Sequence, residues 1–219
     1  MSTSRHRGRP GSLGGQRDRL RVAQVAARLI VEHGLADWTL AKRKAARQLM
    51  LPDTTAMPSN DEIEAALTEH HALFGGEAHE ESLRAMRAHA VQWMDRLAAW
   101  QPLLIGGVAA GWATGYSDIR LELVADDPKA VEIELASRNV VYAALPSRDG
   151  DPATHLRIDS PVGTSFGTSR GASTGTSRGT IRLTVLTPAQ RRNRPRKSDE
   201  PRLTVQAVSA LIGEDKRPR

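Results

Sequence analysis

The spacing of hydrophobic residues changes near Pro102, and this change limits the folds open to the chain. Before it, apolar residues recur at helical spacing, most clearly in the stripe from Leu83 to Trp100. After it, apolar and polar residues alternate, as in the segment DIRLELVA that begins at Asp118. Helical segments followed by alternating segments predict an α+β protein with a sheet of four or five strands.

Predicted helices of the N-terminal part begin near Arg17, Thr39, Ser59 and Glu80. Thr39 is the expected N-cap of the second helix, and Ser59 or Asn60 that of the third. Strands are predicted at LLIGG, DIRLELVA, VVYAAL, THLRIDS and TIRLTVLT. Asp127 as N-cap and Pro128 at N1 predict a helix after the second strand, and TVQAVSALIG favours a last helix.

The predicted organisation is a disordered basic tail (1–16), a helical region (17–101), an α/β domain (102–188) and a basic C-terminal segment with a short helix (189–219). Within it, 163–180 repeats Gly-Thr-Ser-Arg-Gly, which predicts a flexible loop. Residues 1–21 and 190–219 each carry a net charge of +5, so the total of +6 leaves −4 between them. Such tails favour weak, salt-sensitive contact with nucleic acid, or serve only as solvated ends.

The chain has no cysteine, which excludes disulfides, a thiol nucleophile and cysteine-bound metals. Its N-terminus lacks the apolar segment of a secretory signal, and no apolar run is long enough to span a membrane. These features predict a cytoplasmic protein without membrane contact.

Glycines and an aspartate with a regular spacing open the predicted α/β domain. Gly106-Gly107 is followed after three residues by Gly111, and after five more by Ser117-Asp118-Ile119-Arg120-Leu121. A P-loop is excluded, because Trp112 and Ala113 occupy the positions of its lysine and hydroxyl residues.

This spacing resembles the motif of the polymerase-beta-like nucleotidyltransferases: a Gly-Ser pair, three residues, a glycine, about five residues, then Ser-Asp-Ile-Asp-Leu. The resemblance covers Leu103 to Leu145. With AKRKAARQL upstream and DDPKAVEIEL downstream, the chain is similar to bacterial proteins labelled nucleotidyltransferase without a known reaction. The resemblance implies a mixed sheet flanked by helices, a nucleotide ligand, and Mg²⁺ held by two carboxylates of one strand and a third from a neighbouring strand.

The chain departs from this motif at two positions, with Arg120 for the second aspartate and Gly107 for the serine. A guanidinium is always charged and cannot ligate a cation. We therefore expect a catalytically degenerate protein, a pseudoenzyme, with a nucleotide-binding or regulatory role. The residues expected to contact the nucleotide are Gly106, Gly107, Gly111, Ser117 and Arg120.

Two roles are open for Arg120: an ordinary surface ion pair with Asp118 or Glu122, or direct binding of a phosphate. An alternative function is an active Mg²⁺-dependent nucleotidyltransferase. In that case Asp118, Glu122 and Asp159 would be the catalytic acids, and Asp118 and Glu122 would hold the metal.

A third possibility is a nucleic-acid-associated protein, because the first two helices resemble the start of TetR-like repressors. Phosphates would then contact the basic residues of the second helix, Lys42, Arg43, Lys44 and Arg47. However, LPDTTAMPS interrupts the chain where a recognition helix should begin, and a solvated basic helix face remains the simpler interpretation.

Overall fold

The computed structural model describes residues 13–35, 37–52, 56–147, 151–161, 178–193 and 201–214. The chain divides into two compact units, Met1–Gly76 and Glu77–Arg219. Helices precede a mixed sheet, which confirms the predicted α+β class. In the part of the chain that the structure describes, no helix has both the length and the apolar content needed to cross a bilayer.

Three helices form the described part of the first unit: α1 (Leu13–His33), α2 (Trp38–Gln48) and α3 (Asn60–Phe74). α1 packs against both of the others. The predicted start of this helix was Arg17, and the observed start, Leu13, lies four residues earlier.

Local capping sets the starts of α2 and α3. Ser59 caps α3 as predicted, and its hydroxyl accepts from Glu62 N at 3.1 Å, while the Glu62 carboxylate accepts from Ser59 N at 2.7 Å. The prediction that Thr39 caps α2 is wrong. Asp37 is the cap, and its Oδ1 accepts from the backbone N–H of Thr39 at 2.8 Å.

The long helix α4 (Gly76–Arg96) begins and ends earlier than predicted. The expected break at GGEAHE shrinks to one residue between α3 and α4, and Gly76, the first residue of α4, adopts φ +55°, which glycine tolerates. At the other end, Ala98–Trp100 form a 3₁₀ turn, so Trp100 lies outside α4.

The remaining elements of the second unit alternate between strands and helices. They are β1 (Leu103–Ile105), α5 (Gly107–Ala110), β2 (Ile119–Val124), α6 (Pro128–Ser137), β3 (Tyr142–Leu145), β4 (Thr154–Pro161), β5 (Arg178–Leu186), α7 (Pro188–Asn193) and α8 (Val205–Glu214). The five predicted strands are confirmed, as is α6 with Asp127 as its cap. The short helices α5 and α7 were not predicted.

The strands form one sheet in the order β1-β2-β5-β4-β3. β2 and β5 are parallel, and the other neighbours are antiparallel. β5 therefore lies beside β2, although β3 and β4 come between them in sequence.

One face of the sheet is apolar and forms the core with α4, α6 and α8. Leu121, Leu156 and Leu183, from the three central strands, are each at most 1% exposed. α4 is also tied to β4 by hydrogen bonds, because Trp93 Nε1 donates to Ser160 Oγ at 3.2 Å and His89 Nε2 lies 3.1 Å from the same oxygen.

The C-terminal segment adds a backbone bridge to the outer edge of β1. Leu104 N donates to Leu203 O and Leu203 N to Leu104 O, both at 2.9 Å. α8 follows, and its Val208 is fully buried in the core.

Several predicted segments lie outside the described residues. These are most of the repeat loop (163–177) and parts of both basic tails (1–12, 194–200 and 215–219). Residues 178–180, at the end of the predicted loop, belong to β5.

Candidate functional site

The second face of the sheet, called here the polar face, carries three rows of side chains across β2, β5 and β4. The register places Arg120, Arg182 and Arg157 in one row, and Glu122, Thr184 and His155 in the next. In the first row Thr180 is paired with Asp159, and Asp118, one residue before β2, continues the alternation of that strand. Adjacent strands lie about 4.8 Å apart. The middle set is therefore a continuous arginine row about 10 Å wide.

Two members of the arginine row are paired with acids of the first row. Arg182 Nε lies 2.5 Å from Asp118 Oδ2, and Arg157 Nε lies 3.4 Å from Asp159 Oδ1. Arg120 forms no ion pair with any residue that the structure describes. Of the two roles open for Arg120, the ion pair with Asp118 or Glu122 is therefore not formed.

The exposed Arg120 side chain lies over the backbone of Gly106. A Cβ at Gly106 would be 3.1 Å from Arg120 Cδ and 3.4 Å from Arg120 Nη1. Gly106 also has φ +70°, which side-chain-bearing residues rarely adopt. Glycine here thus permits both the turn into α5 and the close approach of the guanidinium.

Glu122 is only 1% exposed and is held by two arginines from the C-terminal part of the chain. Its Oε1 lies 3.3 Å from Arg202 Nη1 and 3.7 Å from Arg191 Nε. The Glu122 carboxylate is therefore buried and paired, whereas Arg120, two residues earlier on the same strand, is exposed.

His155 completes the third row with a hydrogen-bonded chain. Its Nε2 lies 3.0 Å from Asp151 Oδ2, and its Nδ1 lies 3.3 Å from Thr184 Oγ1. Thr184 is 7% exposed, so its hydroxyl is a buried partner of the imidazole.

The other predicted nucleotide contacts serve the local fold of the glycine turn. A Cβ at Gly107 would lie 2.7 Å from the ring of Trp112, so the serine of the family motif does not fit here. Gly111 has φ +89°, and its carbonyl lies 3.0 Å from His79 Nε2. The Ser117 hydroxyl accepts from Thr114 N at 3.0 Å.

The three predicted catalytic acids do not converge. Asp118 and Glu122 are four residues apart on an extended strand, which corresponds to about 13 Å between their Cα atoms. Asp159 is two strands away from Asp118, about 10 Å. Mg²⁺ needs ligand oxygens at about 2.1 Å, and Asp118 and Asp159 each face an arginine instead. The acids present therefore do not fit a shared divalent metal.

The basic residues of α2 lie in the first unit. Arg43, Lys44 and Arg47 are exposed, whereas Lys42 is partly buried and its Nζ donates to Asn60 Oδ1 at 2.9 Å. Burial lowers the pKa of Lys42, and the charge of Glu62 opposes this shift.

Sequence reasoning missed four arginines of the polar face: Arg157, Arg182, Arg191 and Arg202. The alternation in THLRIDS and TIRLTVLT places arginines on the polar side of each strand, which was a usable signal. That β5 pairs with β2, and so brings Arg182 to Asp118, is not encoded in the local pattern.

Comparison with solved structures finds weak similarity to the Cid1 poly(U) polymerase. Its crystal structure has 12% identity and a TM-score of 0.33, over 54% of this chain and 35% of that chain. Cid1 in complex with the UTP analogue UMPNPP has 14% identity and a TM-score of 0.34, over 72% and 42%. The MgGTP-bound form has 14% identity and a TM-score of 0.34, over 72% and 44%.

The chain thus matches less than half the length of these proteins. TM-scores and identities this low assign neither a family nor an activity. No family model matches the chain, and no curated protein matches it.

Proposed function

We propose that this chain is a nucleotidyltransferase-like protein that binds the phosphates of a nucleotide at the arginine row without a divalent metal. Its role is binding or regulatory rather than catalytic. The observation that carries the proposal is Arg120, an exposed guanidinium without an ion-pair partner among the described residues, at the position of the second metal-binding aspartate of the family motif.

Charge favours an anion at this position. Arg182 lies on the neighbouring strand in direct register with Arg120, so the two side chains can reach one phosphate group. Arginine presents a planar fork of donors that matches phosphate oxygens. Asp118 offsets the charge of Arg182 but leaves that of Arg120 uncompensated.

The setting of Arg120 also favours binding. Its side chain rests against Gly106, which limits the conformational freedom that binding would remove. In an active enzyme Mg²⁺ supplies the positive charge that holds the phosphates. Here the guanidinium of Arg120 would supply that charge from a fixed position on the strand. A divalent ion about 4 Å from Arg120 would be repelled by roughly 4 kcal/mol per unit charge at an effective dielectric of 20.

Nucleotide binding in the absence of metal tests the proposal. The melting temperature is measured with ATP, GTP, CTP and UTP in excess EDTA, and again with Mg²⁺. We expect stabilisation in EDTA, about 2.7 kcal/mol when the ligand is at 100 times its dissociation constant. Arg120→Gln should weaken this binding at least tenfold, whereas Lys129→Gln, on the exposed surface of α6, should leave it unchanged.

Two results would count against the proposal. Stabilisation that requires Mg²⁺ and survives Arg120→Gln would place the ligand elsewhere. Mg²⁺-dependent release of pyrophosphate that Asp118→Ala abolishes would establish the alternative, an active nucleotidyltransferase.

A further inference from the structure

We propose that the exposed face of α2 binds the phosphate backbone of double-stranded DNA. This inference is independent of the nucleotide site, because it rests only on the first unit. α2 has the sequence WTLAKRKAARQ, with four basic residues and no acidic one.

The basic residues of α2 lie opposite its packed side. Ala41, Ala45 and Ala46 are buried. Arg43, Lys44 and Arg47 are exposed, and Arg47 lies one helical turn from both Arg43 and Lys44. Residues at this spacing have Cβ atoms about 5–6 Å apart, so the three cations form one surface, called here the α2 basic face.

Three of the four arginines of α1 are paired with acids, whereas the cations of the α2 basic face are not. Arg19 lies 2.9 Å from Glu62, Arg21 lies 3.8 Å from Asp18 and Arg28 lies 4.0 Å from Glu32. Among the residues that the structure describes, the three cations of the α2 basic face form no ion pair. Within the described part of the first unit, α2 therefore carries a cluster of positive side chains that no nearby acid neutralises.

Lys42 does not belong to the α2 basic face. Its bond to Asn60, the first residue of α3, links α2 to α3. The contact surface therefore consists of three residues rather than the four that the sequence suggested.

Shape and polarity select duplex DNA among polyanions. An α-helix is about 10–12 Å across with its side chains, which matches the major groove of B-DNA, about 12 Å wide. The major groove of A-form RNA is deep and narrow and does not admit side chains. Leu40, 41% exposed, is the only large apolar residue exposed on α2, so the helix lacks the broad apolar face of membrane-surface helices.

Fluorescence anisotropy with a labelled 20-base-pair DNA duplex tests the inference with the full chain. The decisive variant is Arg43→Gln/Lys44→Gln/Arg47→Gln. Each phosphate contact contributes about −0.9 to the slope of log affinity against log salt, so the triple variant should reduce the slope by about 2–3. From 50 to 200 mM salt, three contacts account for about a 40-fold loss of affinity.

A matched triple variant on α1, Arg17→Gln/Arg21→Gln/Arg28→Gln, removes the same charge. We expect it to change the slope by less than about 0.5, and both variants should retain the helical circular dichroism of the wild type. Equal weakening by the two triples would show that net charge or the tails bind DNA, and would overturn the inference.

Two further binding measurements test whether the polyanion is DNA rather than RNA or a lipid surface. An RNA duplex of the same sequence and vesicles with anionic lipid should bind more weakly than DNA and respond equally to the two triple variants. The inference also fails if the wild type does not bind DNA at 50 mM salt, or if RNA or vesicles match DNA and depend on the α2 basic face.

Discussion

A single methyl group added at Gly107 is expected to destabilise the second unit, because the structure has no space for it. The Cβ would lie 2.7, 2.8 and 2.9 Å from three atoms of the Trp112 ring. Trp112 is 8% exposed, so its ring is packed among other side chains and has little room to yield. Overpacking of this kind costs about 1–3 kcal/mol, and Gly107→Ser, which adds a hydroxyl to the same Cβ, should cost at least as much.

Thermal and urea denaturation, followed by tryptophan fluorescence, measure this cost. For a chain of this size, 1–3 kcal/mol corresponds to a melting temperature lower by about 2–12 °C. Gly115→Ala is the matched control, because a Cβ at Gly115 would meet nothing within 4 Å. It should change stability by less than about 0.5 kcal/mol.

A double-mutant cycle assigns the cost to the ring. In a Trp112→Ala background the clash is absent, so Gly107→Ala should become nearly neutral, with a coupling energy of about 1–3 kcal/mol. Equal stabilities of Gly107→Ala and Gly115→Ala, or a cycle without coupling, would refute this explanation for glycine at position 107.

Three further predictions concern the polar face and the core. The double variant Arg120→Asp/Arg182→Asp places two carboxylates next to Asp118 and should increase Mn²⁺ binding over that of the wild type, measured by calorimetry; no gain would refute the view that Arg120 stands where a metal ligand would lie. Burial lowers the pKa of His89 below 6.5, so protonation of this imidazole favours the unfolded state. The difference in melting temperature between the wild type and His89→Gln should therefore stay constant above about pH 6.5 and should shrink as the pH falls below it. Tyr116, two residues before Asp118, is 63% exposed and offers an aromatic ring on which a base can stack, so Tyr116→Ala should weaken the binding of nucleoside triphosphates by about 1–3 kcal/mol but not that of inorganic triphosphate; an equal effect on both would contradict stacking.

Features that depend on neighbouring residues were predictable from the sequence. The capping box of Ser59 and Glu62, and Asp127 before Pro128, place helix starts because donor and acceptor lie within one turn. The same local logic failed at α2, where Asp37 and Thr39 are both capping residue types and only the geometry selects Asp37.

Features that depend on strand order were not predictable. Glu122 alternates with apolar residues in β2, so it was expected on an open polar face, yet Arg191 and Arg202 bury it. Arg182 comes from β5, and nothing in its local sequence indicates that it pairs with Asp118. The sequence identified the departure at Arg120, but not the pairing of Arg182 with Asp118 or of Arg191 and Arg202 with Glu122.

The bridge between Leu104 and Leu203 has a practical consequence for any truncated form of the protein. A chain that stopped before Pro201 would expose the backbone donors and acceptors of Leu104 at the edge of β1, and would also lose Arg202 as a partner of Glu122. Uncovered strand edges pair readily with one another. Proteolytic removal of the chain from Pro201 onward should therefore increase aggregation through the edge of β1, measured by light scattering.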